Sequence, residues 1–598
     1  MDITETTVSA PESLAQQISR LFSYIGKKRK IQFSLLLLLT VLSSFAEVVS
    51  LGAVVPFIGI LTEPERVYQQ AGFQWVIEAL QISSPAELVL PLTMAFAIAA
   101  VIAGCLRLFL LWVGIRLGNA TGADLGIKIF QKTLYQPYEV HISRHSSEVI
   151  SVITQKVGTA TSVLISMVTF LTSLVLFIAI LATLLAMDPV VAIVACISFG
   201  SAYFFIARIT RKRIVSNSRQ IANEQTQVIR SLQEGLGAIR DVLLNNAQYV
   251  YSNLYRNSIL QLQKAQSENT FINQAPRFAM EALGLVLIAL LSFTLSKREG
   301  GMSEALPLLA LLALGAQRLL PLMQQIYGNW SVLAGSKASL QDVLDFLEQS
   351  DTQSSHNSET KPMSFNEKIV FSNVSFKYGD NLPEVLMNLN LEINRGDRVG
   401  FMGETGSGKS TLLDLLMGLL EPSNGKIYVD DCAVDKSNRY SWQKVIAHVP
   451  QHIFLSDVSF TQNIAFGIPR AEIDMQLVKD AADQARISDF IEAKPENYQT
   501  NVGERGVRIS GGERQRIGIA RALYRKARVL VFDEATSALD NKTEQEVMQA
   551  IDDLSDDLTV LIIAHRLSTL KNCNKIVELR NGSINRIGTY EELVGSNV

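Results

Sequence analysis

The chain has 598 residues, of which 48% are hydrophobic and 19% charged, with a mean hydropathy of +0.20 and a net charge of −3. Soluble domains carry about 25% charged residues, so this chain is more apolar than they are, and a disordered tail is excluded. The net negative charge provides no overall basic field that would attract nucleic acid. The four cysteines form no CxxC pair, which excludes a zinc knuckle or a disulfide scaffold. The composition predicts a membrane protein with a sizeable soluble part.

Six apolar runs before about residue 340 are each long enough to cross a bilayer, which takes about 20 mainly apolar residues. They cover residues 33–61, 88–115, 160–187, 189–207, 279–296 and 305–327. Core helices of a globular protein are the alternative, but six such runs in one half of the chain favour membrane spans. The first run is longer than the core of a signal peptide, so we expect it to remain as an anchor.

Loop charges predict the orientation of these spans. Residues 27–30 are all basic and precede the first span, which places the N-terminus in the cytoplasm. Residues 62–87 contain Arg66 as their one basic residue and are expected outside. The polar stretches 119–158 and 210–276 are predicted to be helices that extend into the cytoplasm, where the C-terminal half would also lie.

The chain divides into four predicted segments. Residues 1–32 form a cytoplasmic tail, 33–345 a six-span domain, 346–364 a polar linker, and 365–598 a soluble α/β domain. The tail contains an amphipathic helix, predicted to lie on the inner leaflet, with an ordinary cytosolic helix as the alternative. Its apolar side chains recur at helical spacing: Leu14, Ile18, Leu21, Phe22 and Ile25.

The segment from Gly403 to Ser410 matches G-x-x-x-x-G-K-[ST], between a strand-like and a helical stretch. Glycines allow backbone N–H groups to surround phosphates, Lys409 reaches the β- and γ-phosphates, and the Ser410 hydroxyl ligates Mg²⁺. The sequence therefore predicts an ATP and Mg²⁺ site. The predicted nucleotide-binding residues here are Gly403, Glu404, Thr405, Gly406, Ser407, Gly408, Lys409, Ser410 and Thr411.

Two further elements suit the same chemistry. The apolar run from Val529 ends in Asp533, suited to Mg²⁺, and Glu534, suited to act as general base toward water. A strand end meeting solvent is the alternative for that pattern alone. The turn Ser510, Gly511, Gly512 opens a predicted helix, and such an N-terminus is an anion site.

Together these three elements resemble the nucleotide-binding domain of ATP-binding-cassette (ABC) transporters, over essentially all of 365–598. The resemblance implies that Tyr378 stacks on adenine, Gln451 senses Mg²⁺ and the membrane domain, and His565 contacts the γ-phosphate. Ser537–Asp540 resembles the D-loop, and Thr500–Gly506 resembles a segment typical of exporters. Glu513 stands where the family usually has Gln, and activity is expected to survive.

The resemblance also implies a composite site, in which the P-loop of one subunit faces the Ser-Gly-Gly turn of another. One such domain and six spans make half a transporter, so the chain is predicted to pair with a second copy or with a paralogous half-transporter. Coupling to the membrane domain is expected near Tyr135–Glu139 and Glu234–Asp241.

Ionisable residues inside predicted spans are candidates for substrate contacts, because charge in lipid costs several kcal/mol. Intramembrane pairing, or snorkelling for Arg116, is the alternative. The candidates are Glu47, Arg107, Arg116, Glu281 and Arg318.

The membrane half resembles bacterial flippases for lipid-linked oligosaccharides and related exporters used in polysaccharide or glycolipid assembly. The resemblance lies in AEVVSLGAVVPFIGIL, EGLGAIRDVLL, NQAPRFAMEALG and LPLLALLALGAQRLLPLMQQIY. That resemblance implies transfer of an amphipathic lipid-pyrophosphate-linked glycan across a bacterial inner membrane, with arginines on the pyrophosphate.

The predicted fold class is thus a multi-domain membrane protein. An all-α six-helix transmembrane domain with long cytoplasmic extensions precedes an α/β P-loop ATPase domain. An exporter of another lipid, drug or peptide remains an alternative. A different class is an ATP-gated channel or a membrane-anchored regulatory ATPase, although the intact Glu534 argues against a degenerate ATPase.

Overall fold

The computed structural model describes residues 12–53, 57, 60–61, 65, 68–69, 74–79, 82, 84–187, 189–296, 301–349, 361–534, 541–552, 557–563 and 567–593. The chain forms two compact units. The first comprises Met1–Tyr135 and Arg144–Ser350, and the second comprises Gln136–Ser143 and Asp351–Val598. The first unit is helical in its described part, and the described strands belong to the second.

Long helices dominate the first unit. A 3₁₀ turn, Pro85–Leu88, precedes the fourth helix, and a π-helical turn, Val152–Lys156, joins the sixth to the seventh. In chain order the helices up to residue 347 are α1 (Leu14–Tyr24), α2 (Lys27–Gly52), α3 (Gln74–Ala79), α4 (Val89–Leu134), α5 (Tyr138–Ser143, part of the second unit), α6 (Ser146–Ser151), α7 (Val157–Met187), α8 (Pro189–Gly237), α9 (Ile239–Leu244), α10 (Gln248–Ser296), α11 (Gly301–Gly335) and α12 (Lys337–Leu347).

Three helical stretches of the described chain are long and apolar enough to cross a membrane. They are Lys27–Ser50, Pro85–Leu134 and Ser146–Thr183, and they contain most of the first three predicted spans. The other three predicted spans fall within α8, α10 and α11. Their crossing of a membrane stays a prediction.

The helices α4 and α7 approach closely because α4 presents small residues to its neighbour. A Cβ atom added at Gly118 would overlap Ile165, and one added at Gly122 would overlap Thr161. These glycines lie four residues apart on one helix face, the spacing that lets membrane helices pack backbone to backbone. Substitution there would force the two helices apart.

The apolar face of α1 packs into a hydrophobic core of the helical unit. Ser13 and Gln16 form a capping box at the helix start, and Leu21 is fully buried. Gln17 donates a hydrogen bond to Gln341 of α12 at 2.7 Å. The apolar spacing that predicted an interfacial helix thus also fits packing on α12.

The helix α12 extends into the region predicted as linker. Its last residues, Phe346 and Leu347, are buried in the core of the helical unit. The Nζ atom of Lys132 donates to the carbonyl oxygen of Leu347 at 3.0 Å, which caps the helix end. Residues 351–360 of the predicted linker lie outside the described chain.

The described part of the second unit contains two sheets. The smaller is antiparallel, with strand order β2-β1-β4-β5, and the larger has the order β10-β9-β3-β8-β7-β6. The strands are β1 (Lys368–Phe376), β2 (Leu386–Asn394), β3 (Arg398–Met402), β4 (Asn424–Val429), β5 (Cys432–Ala433), β6 (Ile446–Val449), β7 (Val529–Asp533), β8 (Thr559–Ile563), β9 (Lys575–Arg580) and β10 (Ser583–Gly588).

The described helices of this part of the chain lie between these strands or follow the last of them. They are α13 (Lys409–Leu416), α14 (Arg439–Gln443), α15 (Phe460–Ile464), α16 (Met475–Gln484), α17 (Ser488–Glu492), α18 (Gly511–Tyr524), α19 (Asn541–Asp552) and α20 (Tyr590–Leu593).

Parallel pairing of β3, β8, β7 and β6 brings distant segments together. These strands are almost fully apolar and buried, as expected for parallel strands covered on both faces. Their carboxyl ends share one edge of the sheet, which is where ligands bind in such folds. The segments after β3, β6 and β7 therefore meet at that edge.

Candidate nucleotide site

The P-loop begins where β3 ends. Its glycines at 403, 406 and 408 all have positive φ angles, of 149°, 85° and 98°. At Gly408 an added Cβ would lie 2.5 Å from the Cδ2 atom of Leu386, so both the backbone conformation and the packing require glycine there. The loop then enters α13 at Lys409.

Lys409 is held against the loop that it follows. Its Nζ atom donates to the carbonyl oxygens of Gly403 at 2.7 Å and Glu404 at 2.9 Å. Burial lowers the pKa of the Lys409 ammonium, while the nearby carboxylates of Glu534 and Asp533 act in the opposite direction. An anionic phosphate beside this ammonium would favour its charged form.

Glu534 follows β7 and has an unusual backbone conformation. Its φ angle is +50°, which is rare for a residue with a Cβ atom, and its N–H donates to the carbonyl oxygen of Ile563 at 3.0 Å. The Nε2 atom of Gln451 donates to the Oε2 atom of Glu534 at 2.7 Å. The structure thus joins two predicted site residues that are 83 positions apart.

Asp533 and Glu534 place two carboxyl groups next to each other at the end of β7. Burial raises the pKa of the Asp533 carboxyl, and the neighbouring Glu534 raises it further, while Lys409 lowers it. Two carboxylates in a half-buried position are a suitable environment for a hard divalent cation.

Tyr378 lies beside the start of α13. Its hydroxyl is 3.1 Å from the Oγ1 atom of Thr411, and its ring meets Phe376 edge-on. The Tyr378 side chain is 45% exposed, so ring surface remains accessible. Stacking on adenine stays a prediction that this position permits.

Ser510, Gly511 and Gly512 form the start of α18. The Ser510 hydroxyl accepts from the N–H of Glu513 at 3.3 Å, and the Glu513 carboxylate accepts from the N–H of Ser510 at 2.7 Å. This capping box explains how Glu513 replaces Gln without disturbing the helix start. It also places an additional negative charge at a predicted phosphate site.

The helix α18 belongs to a different hydrophobic core from that of the P-loop helix. Its Ile517 and Ile519 pack with residues of β6, α15 and α16, whereas Leu412 and Leu413 of α13 pack with the antiparallel sheet. The two predicted phosphate-binding elements are therefore built into separate parts of the second unit.

Two predicted elements cannot be located. His565 and the segment Ser537–Asp540 lie outside the described residues.

Two residues near the site, Asp414 and Arg521, were not predicted as functional, and a third, Tyr138, belongs to the predicted coupling segment Tyr135–Glu139. Burial and the charge of Asp533 raise the pKa of Asp414, on α13, to about 6. Tyr138, on α5, has a raised pKa because of burial and the nearby Asp414 and Tyr378. Arg521 donates to the carbonyl oxygens of Asn463 at 2.9 Å and Phe454 at 3.1 Å, which ties α18 to the segment after Gln451. An acidic residue among the leucines of α13 was the available signal for Asp414.

The first predicted coupling segment belongs to the second unit. Residues 136–143 group with the second unit rather than with the long helices that flank them in sequence. Tyr138 lies within electrostatic range of Asp414 on the P-loop helix.

The two candidate arginines whose side chains the structure describes, Arg107 and Arg116, do not share a cavity. Arg107 borders a cavity of 160 Å³ with Thr169, Ser173 and Gln325. Arg116, nine positions further along α4, borders a different groove and stacks on Trp112 at 5.2 Å.

The two candidate acids differ in their surroundings. Glu281 forms an ion pair with Arg277 at 2.8 Å, so pairing explains this charge. Glu47 is 7% exposed and has a polar partner. The side chain of Arg318 lies outside the described part of the chain.

The described residues fit ATP and Mg²⁺. The Oγ atom of Ser407 is buried without a hydrogen-bond partner within the described chain, as expected of a group that awaits a ligand. Lys409 supplies a cation for phosphate, and Ser410, Gln451 and Asp533 supply the oxygen atoms that Mg²⁺ prefers. No cluster of three or more His, Cys, Asp or Glu side chains suited to a metal occurs among the residues described.

Comparison with known proteins finds a matching protein family for each half of the chain. The family described as ABC transporter transmembrane region matches residues 33–314, and the family described as ABC transporter matches residues 386–537. The ATP-dependent lipid A-core flippase of Chromohalobacter salexigens is 31% identical over 399 residues, which cover 66% of this chain and 67% of that protein.

Another relative matches over a shorter region. The ATP-dependent lipid A-core flippase of Cupriavidus metallidurans is 40% identical over 230 residues. That alignment covers 38% of this chain and 39% of the relative, so the chain spans about two fifths of that protein's length.

A solved structure shares the fold. A bacterial Atm1-family ABC exporter with ATP bound superposes with a TM-score of 0.74 and 23% identity, over 92% of this chain and 96% of that one. The predicted fold class, a helical transmembrane region followed by an ABC-type ATPase domain, is confirmed. The chain therefore belongs to the ABC exporters, as a half-transporter with one transmembrane region and one ATPase domain.

Proposed function

We propose that this protein uses ATP hydrolysis to move a lipid-linked oligosaccharide or glycolipid from the inner to the outer leaflet of a bacterial inner membrane. The observation that carries the proposal is the meeting of Lys409, Gln451, Asp533 and Glu534 at one sheet edge. A transmembrane region in the same chain gives this ATPase a membrane process to drive.

Each residue of the site has a distinct task in hydrolysis. Lys409 binds the β- and γ-phosphates, and Asp533, Ser410 and Gln451 would hold Mg²⁺, which neutralises phosphate charge when it is bound. Glu534 accepts the proton of the attacking water as general base. The hydrogen bond from Gln451 fixes the orientation of the Glu534 carboxylate. A change at Gln451 would therefore affect hydrolysis directly.

A dimer is part of the proposal. The predicted Ser-Gly-Gly phosphate element and the P-loop lie in separate hydrophobic cores, which suits a site completed by a second subunit. The second predicted coupling segment also exposes apolar side chains, with Leu236 67% and Ile239 45% exposed. The residues that follow it continue this apolar surface, with Leu244 80% and Tyr249 77% exposed. These residues lie beyond the predicted spans, so a partner's ATPase domain is the expected cover.

The substrate class rests on Arg107 and on the relatives. Arg107 lies inside the second predicted span and forms no ion pair with any residue that the structure describes. Thr169, Ser173 and Gln325 line its cavity together with mainly apolar side chains, and the Ser173 hydroxyl donates to the Oε1 atom of Gln325 at 2.8 Å. One cation among neutral polar groups suits an anionic head group such as a phosphate. Relatives named lipid A-core flippases favour a glycolipid.

The test is leaflet inversion of a fluorescent lipid-pyrophosphate-linked oligosaccharide in proteoliposomes, with wild type beside Glu534→Gln. We expect ATP-dependent inversion in the wild type and none in the variant. Hydrolysis of ATP without inversion would overturn the glycan substrate, and a panel of lipids and drugs would then identify another exported class. An ATP-gated ion conductance without inversion would replace the flippase by a channel.

A further inference from the structure

A groove of 510 Å³ runs between α2 and α4 in the helical unit. Its apolar wall includes Leu35, Leu38 and Leu42 of α2, which are 59%, 67% and 54% exposed. Phe109 and Trp112 of α4 form the facing wall and are 51% and 53% exposed. The volume lies within the roughly 300–1,000 Å³ of cavities that hold organic ligands.

One end of the groove is charged. Arg29 of α2 and Arg116 of α4 both border it. The Nε atom of Arg29 donates to the Oδ2 atom of Asp124 at 2.7 Å, so the charge of Arg29 is compensated within the protein. Arg116 forms no ion pair within the described chain, and its guanidinium lies 5.2 Å from the centre of the Trp112 ring. The groove therefore has an apolar length and one uncompensated cation at its end.

The charged end falls at the expected height of a lipid head group. Arg116 directly follows the second predicted span, and Arg29 shortly precedes the first. Trp112, one helical turn before Arg116, is typical of the membrane–water interface. The exposed lysines 27, 28 and 30 add positive charge at this level. An anionic lipid phosphate is attracted to such a surface.

We propose that the α2–α4 groove binds one anionic glycerophospholipid of the inner leaflet. One acyl chain lies along Leu35, Leu38 and Leu42, and the phosphate lies on Arg116. The cavity of Arg107 is separate, since its lining is formed by α4, α7 and α11. This lipid site rests on the predicted spans and their orientation, and it does not depend on which substrate is transported.

Trp112 provides a direct readout in the full-length protein. The protein is reconstituted in bilayers of equal parts phosphatidylglycerol and phosphatidylcholine, with acyl-chain bromine carried by one lipid or by the other. Surface charge is then identical in both samples. The difference in fluorescence quenching between wild type and Trp112→Phe isolates the signal of Trp112.

We expect the quenching of Trp112 to show that the groove prefers phosphatidylglycerol over phosphatidylcholine by about fivefold. A preference of about fivefold is what the attraction between one basic residue and an anionic lipid produces. The preference should fall to about one in Arg116→Ala and persist in Arg116→Lys. Arg219→Ala, which removes an exposed arginine of α8 beyond the predicted spans, is the matched control and should resemble the wild type.

Equal quenching of Trp112 by both lipids in the wild type would overturn the proposal. Preference that survives in Arg116→Ala would do the same, as would absence of quenching by either lipid. If Arg116→Ala does not yield folded protein, Arg116→Gln gives the same readout, because it keeps a polar side chain of similar length without the charge.

Discussion

The two units of this protein encode their chemistry in different ways. In the ATPase unit, residues far apart in sequence converge on one site, as the hydrogen bond from Gln451 to Glu534 shows. In the helical unit, the described candidate charges in or beside the predicted spans lie apart: Arg107 and Arg116 border different cavities, and Glu281 pairs locally with Arg277. A parallel sheet aligns the carboxyl ends of its strands, whereas a long helix distributes its side chains around all sides.

The largest effect is expected at Glu534, where convergence in the ATPase unit is tested most directly. Glu534→Gln keeps the shape of the side chain but removes the proton acceptor, so ATP turnover should fall about 10²–10⁴-fold while ATP still binds. Steady-state hydrolysis and nucleotide binding measure the two effects. Glu392→Gln, on the exposed surface of β2, is the control and should hydrolyse ATP like the wild type. Unchanged turnover in Glu534→Gln would remove the general-base assignment.

The P-loop conformation should be the next most sensitive feature. Gly408→Ala combines a positive φ angle with overlap on Leu386, and we expect it to lower the free energy of unfolding of the ATPase unit by about 2–4 kcal/mol. Gly406 also has a positive φ angle, but an added Cβ atom would meet no atom within 4 Å, so Gly406→Ala should cost only about 1–2 kcal/mol. Thermal unfolding followed by the buried Trp442 compares the two. Equal losses would show that Leu386 moves aside.

Arg107 tests whether the helical unit has a substrate site at all. A hydrogen bond to a charged group contributes about 1.5–3 kcal/mol, so Arg107→Ala should reduce transport of a phosphate-bearing lipid roughly tenfold or more. Arg107→Lys should retain part of that transport, because the cation remains. Arg277→Ala removes an arginine that already has a carboxylate partner, and it serves as the comparison. Equal effects of Arg107→Ala and Arg277→Ala would contradict a specific role for Arg107.

The smallest effect is expected from Asp414 and depends on pH. Folding raises the pKa of Asp414 from 3.8 to about 6, so the ionised form is disfavoured in the native protein. That cost is fully present above about pH 6 and disappears as the pH falls below 3.8. After allowance for partial exposure, Asp414→Asn should stabilise the protein by on the order of 1 kcal/mol at pH 7.5.

Unfolding midpoints of wild type and Asp414→Asn, measured across this pH range, decide the question. The difference between the two proteins should shrink toward pH 4. Asp380→Asn alters a fully exposed carboxylate and should show no such trend. A constant difference would mean that Asp414 does not titrate in this range.

Much of the ATPase site could be predicted from the sequence, because its motifs are contiguous. The P-loop and the paired carboxylates each lie at a strand end, and a parallel sheet leaves little choice of where strand ends meet. Local patterns could not predict that Tyr378 meets Thr411, or that Asp414 lies near Asp533. Such contacts depend on how a helix docks on the sheet.

In the helical unit, the sequence predicted the helices but neither their ends nor what covers their apolar faces. The apolar runs predicted where the helices lie, but the observed helix ends differ from the predicted ones. The helix α2 begins at Lys27, ahead of the apolar run, and α12 continues through Leu347. Apolar spacing in α1 indicated a face to be covered, and it did not say whether lipid or protein covers it. The structure shows Leu21 buried against the protein.

The sequence by itself determined the family, the order of the two domains and the choice of candidate phosphate-binding and acidic residues, because short motifs with strict spacing encode them. Only the tertiary structure decided which charges have partners, which arginine of α4 faces which cavity, and that α5 clusters with the ATPase unit. The physical reason is that motif chemistry is local in the chain, whereas burial and pairing depend on neighbours that folding brings from elsewhere.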